Sequence, residues 1–164
     1  MLHIRPATPA DVPALHALIL ELAVYEKLEH EVRATENETH AALFGARPAA
    51  EALVAEDADG SLAGFALFYP FYSTFAGRGC LYLEDLYVRE THRRQGLGRA
   101  LISAFLDTAR ARGCPKAEWR VLDWNEPAIR FYRSLGATIL DDWRPVRLGL
   151  ALAAAEESAA PPPA

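Results

Sequence analysis

The sequence predicts a mixed α/β sheet with helices on its faces. Two observations carry that class. Apolar residues at helical spacing, such as Leu15, Leu18, Ile19 and Leu22, alternate along the chain with short β-type runs such as those at 52–56 and 62–69. The resulting order is strand, two helices, three strands, helix, strand, helix, strand, and such an order packs as a sheet covered by helices.

Each element has its local signal. Leu2-His3-Ile4-Arg5 alternates as a first strand. Thr8-Pro9-Ala10-Asp11 reads as a helix start, with Thr8 to cap, Pro9 at the first helical position and Asp11 at the positive helix end. That helix runs out near Tyr25-Glu26. Thr35-Glu36-Asn37-Glu38 is a capping-box pattern opening a second, short helix that stops at Gly45. Ala52 to Glu56 and Leu62 to Tyr69 are strands joined by the turn Asp57-Ala58-Asp59-Gly60, hence a hairpin. Leu81 to Val88 is a further strand. Leu97 to Arg112 is a helix with Leu101, Ile102, Phe105, Leu106 and Ala109 on one face, ended by Gly113. Ala117 to Leu122 is a strand. Asn125 caps a helix from Glu126 to Leu135, ended by Gly136. Trp143 to Leu150 reads as a last strand, with Pro145 against it. One domain over residues 1–150 is expected, followed by an Ala/Pro-rich disordered tail over 151–164.

The chain has 164 residues, 51% of them hydrophobic and 24% charged, which suits a globular protein with a real core. A formal net charge of −5 argues against nucleic acid as partner, which needs a basic footprint, and is compatible with a cationic substrate. No apolar run is long enough for a membrane span, and the N-terminus does not read as a signal peptide, so a cytoplasmic location is expected. Cys80 and Cys114 stand alone, giving neither a disulfide framework nor a metal-ligand spacing. His3, His16, His30, His40 and His92 show no ligand spacing either, so no metal is expected.

The most informative stretch joins a strand, Tyr82-Leu83-Glu84-Asp85-Leu86-Tyr87-Val88, to a basic glycine-bearing loop, Arg93-Arg94-Gln95-Gly96-Leu97-Gly98-Arg99. A strand, a loop and a helix start in that order make a phosphate site. Unpaired N–H groups and the helix dipole favour an anion there, and glycine lets the backbone approach it. A Rossmann fingerprint needs a third glycine and a P-loop needs a Gly-Lys-Ser/Thr ending; neither is present.

Arg93-x-x-Gly96-x-Gly98 after a strand resembles the acetyl-CoA loop of the GNAT superfamily of N-acetyltransferases. Ile4-Arg5-Pro6-Ala7 with Asp11 is similar to that superfamily, as is the run from Asn125 to Tyr132 with Leu135-Gly136-Ala137. Glu21 to Glu26, Tyr82-Leu83-Glu84-Asp85 and Trp124-Asn125-Glu126-Pro127 narrow the resemblance to the diamine acetyltransferase family. Tyr72 to Arg78 and Val121 to Asn125 look more like its thialysine-acetylating branch: Ser73 and Phe75 stand where the spermidine/spermine branch has an acidic residue and a Trp.

The resemblance implies a mostly antiparallel GNAT-like sheet with helices on both faces, and direct acetyl transfer from acetyl-CoA, the co-substrate, to the primary amine of a small molecule, thialysine- or lysine-like or a di- or polyamine. It implies a V-shaped gap for acetyl-CoA between the strands at 81–88 and 117–122. Backbone of Leu86, Tyr87 and Val88 would pair with the pantetheine arm. Arg93, Arg94, Gln95, Gly96, Leu97, Gly98 and Arg99 would form the pyrophosphate loop, and Asn125, Glu126, Pro127 and Ala128 would lie near the reactive end. Tyr132 stands at the family's catalytic tyrosine, and Tyr25, Glu26, Glu84 and Asp85 at substrate positions. A homodimer is implied. Two other readings of the same residues are a non-catalytic acyl-CoA sensor and a protein-lysine acetyltransferase.

A primary amine with a pKa of about 10.4 is protonated at pH 7, and reaching its nucleophilic form costs roughly 4–5 kcal/mol. Glu84 is expected to take that proton through water, and Tyr132 to serve the leaving thiolate. Strand alternation puts Glu84 and Asp85 on opposite faces, with Glu84 favoured inward, unless a bulge intervenes.

Overall fold

The computed structural model describes residues 3–150; the expected tail at 151–164 lies outside them. Nine elements follow in order: β1 (His3–Pro6), α1 (Val12–Glu26), α2 (Glu36–Phe44), β2 (Glu51–Glu56), β3 (Leu62–Ser73), β4 (Arg78–Val88), α3 (Leu97–Ala111), β5 (Ala117–Trp119) and α4 (Glu126–Arg133). The strands form one sheet in the order β1-β2-β3-β4-β5. All neighbours are antiparallel except β4 and β5, which are parallel. This is the mixed, mostly antiparallel α/β sheet expected.

β3 explains why helices lie on both faces. Leu62 to Ala66 and Phe68 are all buried, so both sides of the strand are covered. Phe65 joins Leu15, Leu18 and Leu22 of α1, Leu43 of α2 and Val54 of β2 in one cluster. Phe68, on the opposite face, meets Phe105 of α3 with ring centroids 5.3 Å apart. Burying a Phe or Leu of this kind contributes about 1.5–3 kcal/mol each. Gly64 is required by the tight β3–β4 approach: a Cβ there would lie 2.5 Å from the Tyr87 carbonyl oxygen.

The local signals form as read, with small shifts. Asp11 accepts from the Thr8 N–H at 2.7 Å and from two Arg5 nitrogens at 2.7 and 2.8 Å. The Arg5 guanidinium holds the Asp11 carboxyl down to about 2. A 3-10 turn over Pro9–Asp11 precedes α1, so the α-helix proper starts at Val12. α1 ends where Lys27 takes the left-handed conformation, φ 61°. At α2 the capping box closes: Thr35 N–H donates to Glu38 at 2.8 Å, and Glu38 N–H returns to the Thr35 hydroxyl at 3.3 Å. A buried His16–Thr39 hydrogen bond of 3.1 Å ties α1 to α2.

The expected strand over Trp143 to Leu150 is a correction: no residue there pairs with a sheet. Pro145 lacks the donor a ladder needs, and Trp143, Val146, Leu148 and Leu150 are exposed. β5 is likewise shorter than expected, ending at Trp119 instead of Leu122. By their internal contacts the described residues form two compact units, one up to Arg120 and one from Val121 onward. In the second, the Asn125 side-chain oxygen accepts from the Ala128 N–H at 3.3 Å, capping α4. Gly136 follows α4 at φ 85°. Among the described residues no helix is long and apolar enough to cross a membrane.

Candidate active site

The register of β4 decides the site. On its β3 side, Asp85 pairs with Leu67 and Leu83 with Phe68, so Glu84 is an extra residue: a β-bulge. On its other side, pairing with β5 ends at Leu83 opposite Trp119. From Glu84 to Val88 that edge of β4 has no strand beside it among the described residues, so backbone groups there are open to a ligand.

Glu84, the carboxylate favoured inward from the sequence, stands at the bulge itself. Glu84 is exposed, its carboxylate 3.9 Å from Arg120. Asp85 is the partly buried one, opposite Leu67 on the face that also carries Tyr87 and α1. Burial above all, with the charges of Glu84 and Glu26, pushes the Asp85 carboxyl up to about 7. Burial also raises Glu26 at the end of α1. Tyr69 and Tyr82 stack 5.2 Å apart on the same strands, and the Glu84 charge acts on the Tyr69 phenol, whose pKa burial raises first. The result is an acidic, tyrosine-lined patch suited to a cation.

The basic loop follows. Arg94 at φ 61° and Gly96 at φ 83° both take the left-handed conformation. Gly96 is the N-cap of α3 and has no side chain with which to cap it. The first N–H groups of α3 therefore have no intrahelical partner, and Arg94, Gln95 and Arg99 around them are exposed. Uncapped donors beside guanidinium groups, next to an unpaired strand edge, fit a pyrophosphate with an extended arm.

With that geometry, the sequence matches the Acetyltransferase (GNAT) family over residues 15–137. The chain belongs to that family. It is an acetyl-CoA-dependent N-acetyltransferase. It is 40% identical to thialysine N-epsilon-acetyltransferase of Mus musculus over 146 residues, covering 85% of each chain. It is 34% identical to L-ornithine N5-acetyltransferase of Arabidopsis thaliana, covering 88% of this chain and 83% of that one. Its fold is similar to that of an integron cassette protein from V. cholerae, with a TM-score of 0.75 at 22% identity over 90% of this chain and 92% of that one.

In this acetyltransferase one residue of the basic loop makes contacts back to the fold. Arg93 turns inward: its Nε donates to the Val88 carbonyl at 2.9 Å. Its guanidinium lies over the Tyr25 ring at 4.6 Å and the Tyr87 ring at 5.7 Å. It thereby ties the loop to the end of α1, where Tyr25 and Glu26 stand. Arg89 makes a second tie, donating to Glu21 at 2.8 Å and to the Leu62 carbonyl at 3.0 Å. Tyr132 and Asn125 are buried in the second unit, Tyr132 on α4 with its ring 5.4 Å from that of Phe131.

Sequence reasoning missed Arg120 and Tyr69, which no motif marks. It also missed a cavity of about 470 Å³ between α1, α2 and β3, lined by Ile19, Ala42, Leu43, Ala50 and Leu67 with Arg33 and Glu38 among its polar residues. Its lining comes from four separate segments, so no local pattern reveals it.

Proposed function

We propose that this acetyltransferase acetylates the terminal amine of a small cationic acceptor, with Asp85 as the proton acceptor. The observation that carries the reading is the β4 bulge. It sets a carboxyl with a pKa of about 7 beside Glu84 and Glu26, at the point where the strand edge becomes free. A base poised near pH 7 is what amine deprotonation at neutral pH requires.

Bound acetyl-CoA supplies a thioester whose carbonyl carbon accepts the amine. Leu86, Tyr87 and Val88 offer backbone groups to its pantetheine arm, and an N–H on this edge stabilises the developing oxyanion. Arg94, Gln95, Gly96, Leu97, Gly98 and Arg99 hold the pyrophosphate, and Arg93 keeps their loop in place. Glu26 and Glu84 attract the ammonium, with Tyr25 beside them. The ammonium first gives one proton to water, which yields the neutral amine; Asp85 then takes the second proton, directly or through water, as the nitrogen bonds to the acetyl carbon. Tyr132 donates to the sulfur as the carbon–sulfur bond breaks. Asn125, Glu126, Pro127 and Ala128 border the reactive end. The names of the relatives support amino-acid acceptors such as thialysine and ornithine. The protein acts as a homodimer in this reading, and the exposed Trp143, Val146 and Leu148 offer apolar surface to a partner copy.

The test is coenzyme A release with a panel of amines, for the wild type and for Asp85→Asn, Glu84→Gln and Tyr132→Phe. Asp85→Asn should lose turnover by about 10²–10⁴-fold together with the pH dependence near 7. Loss of that limb in Glu84→Gln instead would move the base to Glu84. Full activity in Tyr132→Phe would remove the tyrosine from the mechanism.

A further inference from the structure

The connection from β4 to α3 is tied to α1 at two points one helical turn apart. Arg89 makes the first tie. It donates to both Glu21 carboxylate oxygens, at 2.8–3.1 Å, and to the Leu62 carbonyl at 3.0 Å, so it holds α1 and β3 at once. Its own N–H pairs with the Ala63 carbonyl at 2.9 Å, which makes its backbone part of the sheet. Arg93 makes the second tie. Its guanidinium lies over the ring of Tyr25, on the same helix face as Glu21.

The second tie starts from the cofactor edge. The Arg89 N–H points at β3, so the Val88 carbonyl in the same trans peptide points the other way, to the unpaired edge of β4. Arg93 Nε donates to that carbonyl. One loop side chain thus meets the open strand edge and an aromatic face on α1. The end of α1 has little else beyond it. Lys27 and Leu28 close the helix on the Val24 and Ala23 carbonyls at 3.1 and 2.8 Å, and Lys27 to Glu31 are exposed. Exposed helix ends fray. Glu26, next to Tyr25, is a carboxylate whose charge acts on Asp85.

We propose that Arg93 is a positioning residue that couples the two substrate sites: when a pyrophosphate orders its loop, Arg93 fixes Tyr25 and Glu26 at the acceptor site, and when the loop is empty the end of α1 loosens. Arg89 holds the body of the helix in both states, so the change is confined to the turn after Glu21. A bound anion already orders the loop from which Arg93 extends, so the stack on Tyr25 then forms at a lower entropic cost. An exposed cation–π contact corresponds to about a twofold to fivefold change in an equilibrium constant, which sets the size of the coupling. The coupling is reciprocal, so the acceptor strengthens acetyl-CoA binding by the same factor. This inference rests on the reading that the loop up to Arg99 holds the pyrophosphate and that the end of α1 meets the acceptor.

Hydrogen–deuterium exchange with coenzyme A as the probe tests it without an acceptor. In the wild type, saturating coenzyme A should slow exchange over 93–99 and, by about twofold to fivefold, over 23–28, while 12–20 stays unchanged. Arg93→Ala should keep the slowing over 94–99 and lose it over 23–28. Arg93→Lys, which retains a cation, should recover part of it. Tyr25→Leu should behave as Arg93→Ala does, and Tyr25→Phe as the wild type. A tie that only stabilised the fold would speed exchange over 23–28 equally with and without coenzyme A. Slowing over 23–28 by the same factor in wild type, Arg93→Ala and Tyr25→Leu therefore overturns the coupling. Slowing over 93–99 with none over 23–28 in the wild type overturns it too. If coenzyme A leaves 93–99 unprotected, the pyrophosphate placement itself fails and the coupling falls with it. Should circular dichroism show Arg93→Ala unfolded, the Tyr25 pair decides alone.

Discussion

Asp85 is the residue whose environment most alters its chemistry. Burial lifts its carboxyl to about 7, against an ordinary value near 3.9. As a base it must be ionised, so kcat/KM for the acceptor should rise with pH through about 7, and Asp85→Asn should flatten that rise. The same shift bears on stability with the opposite slope. The folded state favours the protonated carboxyl, so the contribution of Asp85 is fully present below about pH 4 and is lost as pH rises through about 7. Asp85→Asn should therefore match wild type in urea unfolding at pH 4 and exceed it at pH 8. Asp11 runs the other way. Its carboxyl is held at about 2, so the stability it adds with Arg5 is present above about pH 4 and falls away as pH drops toward 2. Lys27 makes a simpler case: at φ 61° it ends α1 in a conformation that favours glycine. Lys27→Gly should raise stability by a few tenths to about 1 kcal/mol, read as an increase in Tm.

At the scale of elements, the β3–β4 ladder carries both the core and the ligand edge. Gly64 allows the two strands to approach at Tyr87 and Val88, the residues proposed to offer their outer edge to the pantetheine arm. Gly64→Ala would set a Cβ 2.5 Å from the Tyr87 carbonyl oxygen, so β4 must shift. The expected cost is about 1–3 kcal/mol in stability, with a weaker affinity for acetyl-CoA measured by calorimetry. A lowered Tm with unchanged acetyl-CoA affinity would mean that this edge is not the pantetheine site. The loop before α3 works differently. Gly96 caps α3 without a side chain, so an anion bound there, as proposed, would complete the helix start.

At the scale of the whole molecule, one sheet serves two cores. Phe65 packs toward α1 and α2, and Phe105 of α3 packs against Phe68 from the other face. Phe65→Leu and Phe105→Leu should each cost about 1–2 kcal/mol. Because the sheet separates them, the two costs should add to within about 0.5 kcal/mol in urea titrations of the double variant. Excess cost in the double variant would show that strain passes through β3.

The order of elements up to α4, most helix starts and the glycine-bearing loop before α3 are determined by the sequence alone, because each depends on neighbours within a few residues. Capping boxes, glycine at Gly96 and Gly136, and apolar periodicity act locally, and Thr35 with Glu38 closes as its spacing requires. The residues of the acidic patch were also legible in the motifs at 82–85 and 25–26. Which carboxylate is buried was not. That follows from a bulge, and a bulge exists only in the register of β4 against β3, between residues far apart in the chain. The end of β5 at Trp119, the unpaired run at 143–150 and the cavity beneath Arg33 belong to the same category. Each depends on which backbone and side-chain groups find partners across the fold, and pairing of that kind is a property of the tertiary structure.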